Sequence, residues 1–346
     1  MERLRIGAIG AGYWGPNLIR NFVELPTTDL IAVADLKTER LDHLKRLYPS
    51  IQTTQNYTDL FQMNLDAVVI ATPPATHYQV AKECLEHGLH ILVEKPLTLT
   101  SADAQALITL AQERNLKLMV GHTFEYNSAV QTLKHLIDSG QIGDIYYIDA
   151  VRTNLGLYQS SANVMWDLAP HDISIILYLL GETPTTVNAN GANYIWQKTC
   201  DVAYICLGFA NGVQAHIRNS WLDPQKVRRL TVVGSKKMVV YDDVETLEKI
   251  KIYDKGVDAP PYTDTFGEFQ LSYRYGDIVT PHISTKEPLR AECEEFAHCI
   301  LTDKRPQTDG ENGLRVVKIL EAAKKSLENH GNQTLIDLAD YPVNQA

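Results

Sequence analysis

At 346 residues the chain has length for about two domains, and 45% hydrophobic with 8% aromatic residues is a globular composition that excludes a disordered or collagen-like chain. Its 32 Lys and Arg against 42 Asp and Glu leave a formal charge of -10, which repels a phosphate backbone and excludes a broad nucleic-acid surface. The longest apolar runs, such as Ile173 to Leu180 and Ala67 to Ala71, fall far short of the roughly 20 residues that cross a bilayer, so no membrane partner is expected.

The start, Met1-Glu2-Arg3-Leu4-Arg5, runs into a strand-like segment with no apolar leader. Cysteines at 84, 200, 206, 293 and 299 form neither a C-x-x-C pair nor a disulfide framework. Reduced thiols and a cytoplasmic location are the expectation.

In chain order, the first 120 residues alternate short apolar runs with helix-like segments, the sequence form of βαβ units in a parallel sheet. The runs Leu4 to Ile9, Leu30 to Ala34, Ala67 to Ala71, Leu89 to Val93 and Leu116 to Val120 are rich in Val, Ile and Leu without clean alternation, as strands buried on both faces are. A weaker connection sits near Ile51. The clearest helix is Ala102 to Arg114, opened by the capping pair Thr100 and Asp103.

After Gly121 the pattern changes. A helix over Ser128 to Ile137 leads to a strand over Ile145 to Arg152 and a second helix ending at Gly181. From Val187 to Tyr253 successive β-rich runs predict an antiparallel sheet, with Asn211-Gly212 as a two-residue hairpin turn. The stretch from Asp254 to Pro288 carries four prolines and reads as a long loop, followed by helices over Arg290 to Leu301 and Gly313 to Asn329. The expected fold is an α/β domain over residues 1–121 and an α+β domain with a large, mainly antiparallel open sheet over 122–346. Branched and aromatic residues on both faces of that sheet predict a homodimer or homotetramer formed through it.

Gly10-Ala11-Gly12-Tyr13-Trp14-Gly15 fits G-x-G-x-x-G, follows a strand and precedes Pro16, where a helix can begin. Asp35 ends the next strand, 20 residues after Gly15. Together they form a dinucleotide fingerprint: glycines for the tight turn and close backbone approach, helix N–H groups for the pyrophosphate, and a carboxylate for the ribose hydroxyls. Asp35 repels a 2′-phosphate and favours NAD over NADP, although nearby Lys37 relaxes that choice. Tyr13 and Trp14 lie within the loop and count as cofactor contacts. The turn Thr72-Pro73-Pro74-Ala75-Thr76-His77 follows another strand at its carboxyl end, where such sheets bind ligands; Thr72, Pro73 and His77 are candidate cofactor contacts, or a turn and helix cap. Glu94-Lys95-Pro96 places a cation at the same end, suited to stabilising an alkoxide, and Lys95-Pro96 can be cis; the plainer reading is a surface Glu-Lys pair.

These motifs, with Asp167 four residues before His171 and the tail Pro306-Gln307-Thr308-Asp309-Gly310, resemble the Gfo/Idh/MocA oxidoreductases over nearly the whole chain. The resemblance implies a Rossmann domain, a second domain whose sheet faces the nicotinamide, and NAD(P)-dependent oxidation or reduction of sugar carbons. It implies Lys95, Asp167 and His171 as the catalytic set, with Glu94 beside the cofactor. Two departures bear on substrate. Gly121-His122-Thr123-Phe124-Glu125-Tyr126-Asn127 carries Glu125 where many members have arginine, and Ser174 stands where Asp is frequent.

On their own, Asp167 and His171 share a helix face, but Pro170 favours a first turn, so Asp167 also reads as an N-cap and His171 as part of a structural cluster with Asp172 and Trp166. No metal is expected, because no ligand set accompanies them and hydride transfer to nicotinamide needs none. Arg218, Trp221, Lys226, Arg228 and Arg229 fall within twelve residues, and the segment resembles that of members acting on nucleotide-linked sugars. Cations there suit a diphosphate and aromatics a base or sugar, while alternating charges on a solvent-facing strand explain them equally well. Tyr126, Asn127, Arg152, Trp166, Trp221, Lys226 and Arg228 are the expected substrate contacts. The reading is an NAD-dependent sugar dehydrogenase, a nucleotide-linked sugar being favoured over inositol or a free sugar. A non-catalytic NAD- or sugar-binding regulator is the rival from a different class.

Overall fold

The computed structural model describes residues 3–156, 158, 163–196, 199–258 and 271–337. The first part runs β1 (Leu4–Ile9), α1 (Gly15–Glu24), β2 (Thr28–Ala34), α2 (Thr38–Leu47), β3 (Gln52–Thr54), β4 (Ala67–Ile70), α3 (Pro74–Glu86), β5 (His90–Glu94), α4 (Ser101–Glu113) and β6 (Leu118–Gly121). Its six strands pair in parallel in the order β3-β2-β1-β4-β5-β6. The order reverses between β1 and its two neighbours, which opens a crevice at the strands' carboxyl ends. The weak connection near Ile51 is the short edge strand β3. Thr100 caps α4 by accepting from the Asp103 N–H, as its spacing predicts.

The chain continues through α5 (Ser128–Asp138), β7 (Ile145–Thr153), α6 (Val164–Leu180), β8 (Thr186–Ala192), β9 (Val202–Gly208), β10 (Gln214–Ser220), β11 (Val227–Gly234), β12 (Met238–Asp242), β13 (Ile250–Asp258), β14 (Ser272–Val279), α7 (Pro288–Leu301), α8 (Gly310–Glu328) and β15 (Thr334–Leu335). Nine strands form one sheet in the order β14-β13-β12-β11-β7-β10-β9-β8-β15. Only the central β7–β10 pair is parallel, and Gly181 ends α6 in the left-handed conformation. The fold is thus a Rossmann domain followed by a mainly antiparallel open sheet with helices. Among the described residues no helix is long and apolar enough to cross a membrane.

Two local expectations are corrected. The Asn211-Gly212 hairpin has a three-residue loop: Gly212 N–H donates to the Phe209 carbonyl, Phe209 N–H donates to Val213, and Gly212 has φ +89. That is a type I turn closed by a left-handed glycine; Asn211 instead accepts from the Val213 N–H. The presumed loop from Asp254 to Pro288 contains the end of β13 and all of β14, paired antiparallel. Its prolines do not interrupt the strands: Pro281 follows β14 and Pro288 opens α7, while Pro260 and Pro261 lie outside the described residues.

The chain folds as two interleaved compact units, Met1–Tyr126 with Lys286–Glu321 and Asn127–Thr285 with Ala322–Ala346. The division expected at residue 121 treats the chain as two consecutive stretches. The interleaving follows from α7, whose apolar residues Leu289, Cys293, Phe296 and Ala297 share one helical stripe and join the core of Leu18, Ile19 and Phe22 from α1. Phe296 meets Phe22 edge to face at 6.3 Å.

Candidate functional site

In the first unit the glycine loop has a distinct requirement at each glycine. Gly10 has φ +98, and a Cβ there would stand 2.5 Å from the Ala71 carbonyl. A Cβ on Gly15 would lie 2.1 Å from the Gly10 carbonyl, so this glycine lets α1 close onto the turn. At Gly12 the nearest neighbour would be Arg40, 3.7 Å away. The cradle is therefore open at Gly12, where backbone approach to a pyrophosphate is needed. Trp14 caps α1 without a side-chain hydrogen bond, which leaves first-turn N–H groups for an anion. Tyr13 is exposed and Trp14 partly so. These residues fit a dinucleotide.

Asp35 is buried at the end of β2. One carboxylate oxygen accepts the Ala11 N–H at 2.6 Å, the other the Lys37 N–H at 2.8 Å, and Arg40 forms an ion pair at 3.2 Å. The carboxylate thus joins the glycine loop to the start of α2. Arg40 escaped the sequence reading, although its place on the first turn after the acidic residue was available as a signal.

The turn after β4 is built by its own side chains. Thr76 Oγ1 hydrogen-bonds Thr72 Oγ1 and the Pro73 carbonyl, both at 2.8 Å, and Pro73 is the extended residue before α3. His77 is corrected from a cofactor contact to a brace. Its ring is fully buried, with Nδ1 2.8 Å from the Pro96 carbonyl and Nε2 2.8 Å from the Thr72 carbonyl. Burial holds its proton affinity below the ordinary imidazole range. The ring ties two ligand-side turns together and has no face left for a cofactor.

Glu94 ends β5 and Lys95 follows it, and the Lys95-Pro96 bond is cis. A Cβ on Gly121 would come within 3.1 Å of the Glu94 carboxylate, so the glycine opposite on β6 makes room for it. The Lys95 N–H donates to Glu94 Oε2 at 3.2 Å; burial nevertheless pushes the Glu94 pKa up to about 7. Glu292, fully buried on α7 and facing Glu94 and Glu125, is pushed well above the usual carboxylate range. Sequence reasoning passed over Glu292, because a Glu in an acidic helix gives no sign of burial.

The departure segment is structural. Burial, with the charges of Lys95 and Arg315, lowers the His122 pKa to about 3 and keeps the ring neutral. Glu125 accepts from Asn312 at 3.1 Å and Gln307 at 3.3 Å, tethering the closing segment; burial raises its pKa to about 7. Tyr126 is corrected from a substrate contact to a core residue, its hydroxyl 3.1 Å from Thr308 Oγ1.

In the second unit Asn163 caps α6, its side chain accepting the Trp166 N–H at 3.0 Å. That removes the N-cap reading of Asp167, which lies one turn inside the helix. Pro170 also lies within α6, past the first turn, where its ring leaves the Trp166 carbonyl without its helical donor. Asp167 and His171 therefore present one face of a continuous helix. The Trp221 indole donates to Asp167 Oδ2 at 3.0 Å and fixes the carboxylate. Beside His171, Asp172 turns to the sheet and is gripped by Arg152 at 2.8 to 3.0 Å, with Asn219 at 3.3 Å. Ser174 donates to the His171 carbonyl.

This arrangement corrects most of the expected substrate contacts. Arg152 is buried in its pair with Asp172, Trp166 and Trp221 are buried, and Asn127 caps α5 by accepting the Ala129 N–H. Arg228 is half-buried, donating to the Thr153 carbonyl and Asn154 Oδ1 at 2.8 Å. Lys226 is exposed. Arg218 and Arg229 are paired with Asp223 and Asp242.

Residues 4–122 match the model of the oxidoreductase family with NAD-binding Rossmann fold, and residues 130–240 match the C-terminal domain model of the same Gfo/Idh/MocA family. UDP-N-acetylglucosamine 3-dehydrogenase of Acidithiobacillus ferrooxidans is 29% identical over 92% of this chain and 95% of its own. Its solved structure superposes with a TM-score of 0.80, covering 95% of this chain and 99% of that one. Myo-inositol 2-dehydrogenase of Thermotoga maritima is 25% identical over 94% of this chain and 96% of its own. The solved structure of an oxidoreductase from Magnetospirillum magnetotacticum is 30% identical, with a TM-score of 0.78 over 92% of this chain and 99% of that one. The glycine cradle, the Lys95 turn and both family models agree, and the chain belongs to the Gfo/Idh/MocA family of NAD-binding oxidoreductases.

Proposed function

We propose that the protein is an NAD-dependent dehydrogenase of a sugar carbinol, with a nucleotide-linked sugar as substrate. The observation that carries this reading is the near full-length similarity to a UDP-N-acetylglucosamine 3-dehydrogenase, joined to a helix face on which Asp167 and His171 lie one turn apart with Asp167 fixed by Trp221.

NAD, when bound, supplies the hydride acceptor. The chain supplies the rest. Gly10, Gly12, Gly15 and the first turn of α1 hold the pyrophosphate, Tyr13 and Trp14 flank it, Thr72 and Pro73 line the crevice, and Asp35 takes the ribose hydroxyls. In the oxidation direction the His171 imidazole accepts the hydroxyl proton, Asp167 orients and polarises that ring, and the Lys95 ammonium stabilises the developing oxyanion. Glu94 sets the charge beside Lys95. Lys226, exposed beside the tethered Arg228, is the cation we assign to an anionic group of the substrate.

We further propose that the protein works in the cytoplasm as a homodimer or homotetramer. Five free cysteines support the first. The open face of the nine-stranded sheet supports the second, since Tyr147 and Tyr204 stand exposed on it. Light scattering at micromolar concentration tests the assembly; a monomer counts against it.

The substrate is tested by mixing purified protein and NAD with nucleotide sugars, free hexoses and inositols while following nicotinamide absorbance. Turnover of a UDP-linked sugar is expected. Turnover of inositols alone would favour the second reading, supported by the inositol dehydrogenase relative. NAD binding with no turnover across the panel would favour a regulator.

A further inference from the structure

At one end of the nine-stranded sheet the second unit joins three loops into one surface. Thr153, Ser220, Val202 and Ala192 stand side by side in register there. Past that row the loops are stitched by backbone bonds. Gly156 N–H donates to the Trp221 carbonyl at 2.8 Å, Trp221 N–H to the Asp201 carbonyl at 2.9 Å, and Asp201 N–H to the Ala192 carbonyl at 3.0 Å. Asp201 is fully buried, and one carboxylate oxygen accepts the Tyr194 and Ile195 N–H groups at 2.9 Å each, which fixes the turn that presents Trp196. The start of α6 joins the same surface, its Val164 N–H donating to the Cys200 carbonyl.

An aromatic path runs outward from Asp167. Trp221, whose indole holds that carboxylate, is buried; Tyr158 packs beside it with ring centroids 5.5 Å apart, and Trp196 meets Tyr158 edge to face at 5.7 Å. Gly156 makes the close packing possible, since a Cβ there would come within 2.6 Å of the Trp221 indole. At the outer end Trp196 is 41% exposed, and Ile195 and Leu222 on the same loops are exposed as well. Apolar side chains held rigidly in water two rings from a reacting centre gain free energy when a ligand covers them.

Strand order decides which part of a substrate reaches them. The sequence across the sheet is β11-β7-β10-β9-β8. Lys226, assigned above to the anionic group, immediately precedes β11, Trp221 follows β10, and Trp196 lies between β8 and β9. A sugar held at Asp167 and His171 with its phosphate toward Lys226 therefore turns its opposite edge to Tyr158 and Trp196. The base, carried beyond the phosphate, lies on the far side. The sugar's own carbon edge is left to cover the rings, and there a hydroxyl loses its water for nothing whereas a methyl group gains by burial.

We infer that Trp196, braced by Tyr158, is a specificity-determining residue for the sugar: it binds a methyl-bearing substituent of the ring, an N-acyl group or a deoxygenated carbon, and so selects substituted sugars over a plain hexose. This inference rests on the nucleotide-linked sugar reading and on Lys226 as its anion contact.

The test measures kcat/KM with NAD for UDP-glucose, UDP-N-acetylglucosamine and UDP-6-deoxyglucose in wild type, Trp196→Ala, Trp196→Gln, Trp196→Phe and Tyr158→Phe, with thermal melts and light scattering on each. Wild type should favour a substituted sugar over UDP-glucose by about three- to tenfold, the scale of burying one or two carbons, and the sugar that gains identifies the substituent. Trp196→Ala should erase that ratio, chiefly through KM. Trp196→Gln, which keeps bulk without the apolar face, should do the same, so that a misfolded alanine variant does not decide the outcome. Trp196→Phe and Tyr158→Phe should keep most of the ratio, because each retains a ring. A wild type without preference, a ratio that survives the alanine and glutamine changes, or an equal loss on all three sugars would overturn the inference. A change of mass in Trp196→Ala would also overturn it, by assigning the ring to a contact between copies. Turnover of inositols or free hexoses with none of the UDP-sugars would remove the nucleotide-linked sugar reading, and this inference with it.

Discussion

The buried pair Arg152–Asp172 gives the sharpest test of how the second unit holds its helix. Arg152 projects from β7 and Asp172 from α6, and both side chains are 5% exposed. Three guanidinium contacts and one from Asn219 converge on the carboxylate. Summed as independent charged hydrogen bonds, the three arginine contacts would reach about 5 to 9 kcal/mol. Contacts on a shared carboxylate are not additive, however, and water enters after deletion. One-sided removal of a buried pair costs about 3 to 5 kcal/mol, chiefly because the remaining charge is left uncompensated.

Arg152→Met is therefore expected to destabilise the second unit by about 3 to 5 kcal/mol, a large part of the roughly 5 to 15 kcal/mol that holds a domain together. Arg152→Met with Asp172→Leu should recover most of that loss, since replacing both partners removes the stranded charge. Urea unfolding followed by tryptophan fluorescence reads the right unit, because Trp166, Trp196 and Trp221 lie in it and only Trp14 lies in the other. A single variant within about 1 kcal/mol of wild type, or a double variant as unstable as the single one, would refute the reasoning.

Two further outcomes follow from the site. Trp221→Phe keeps most of the packing but removes the indole donor to Asp167, so turnover should fall about tenfold while NADH affinity, measured by fluorescence titration, stays close to wild type; unchanged turnover would show that Asp167 does not need this tether. For Glu125 the folded pKa, about 7, exceeds the ordinary carboxylate value, so its stabilising contribution is present below about pH 4.5 and is lost as pH rises through 7. Glu125→Gln has no such titration: beyond a constant cost from its mismatched amide, its stability relative to wild type should improve by about 1 to 3 kcal/mol between pH 4.5 and 8 in parallel urea titrations, and a flat difference would remove the shift.

The sequence makes backbone requirements legible more readily than side-chain destinations. Gly10 and Gly15 could be read because the loop geometry admits no other residue there, and the capping pair at Thr100 because it is local. Membership of a parallel or an antiparallel sheet followed from patterning in the same way. The interleaved units were not legible, since the stripe on α7 announces a buried face without naming its partner. Trp221, Arg152 and Tyr126 mislead for a related reason: an aromatic or a cation is equally suited to a ligand and to a buried carboxylate or hydroxyl. Only the fold puts Asp167, Asp172 and Thr308 opposite them. Motif order also concealed His77, whose ring braces the turn that its neighbours were expected to present.

The proposed chemistry stands or falls on Lys95, His171 and Asp167. His171 lies on a helix face held by the Arg152–Asp172 pair, so its own replacement leaves the brace in place; Lys95 follows Glu94 at the end of β5, outside the core strands. Lys95→Ala and His171→Ala are each expected to lower turnover by about two to four powers of ten with NADH affinity nearly intact, the range for positioned acid-base and electrostatic groups. Asp167→Asn should cost less, because the proton acceptor survives with poorer alignment and Trp221 still has an oxygen to donate to. The pH profile separates the two larger effects. Loss of a proton acceptor should remove the acidic limb of the kcat profile, whereas loss of an oxyanion-stabilising cation should depress the whole curve without moving that limb. Near-normal turnover in both variants would eliminate this mechanism and assign proton transfer and oxyanion stabilisation to other groups. Retained turnover in the histidine variant alone would transfer the proton to Lys95, whose ammonium must then lose its proton beside a cationic nicotinamide ring before it can act.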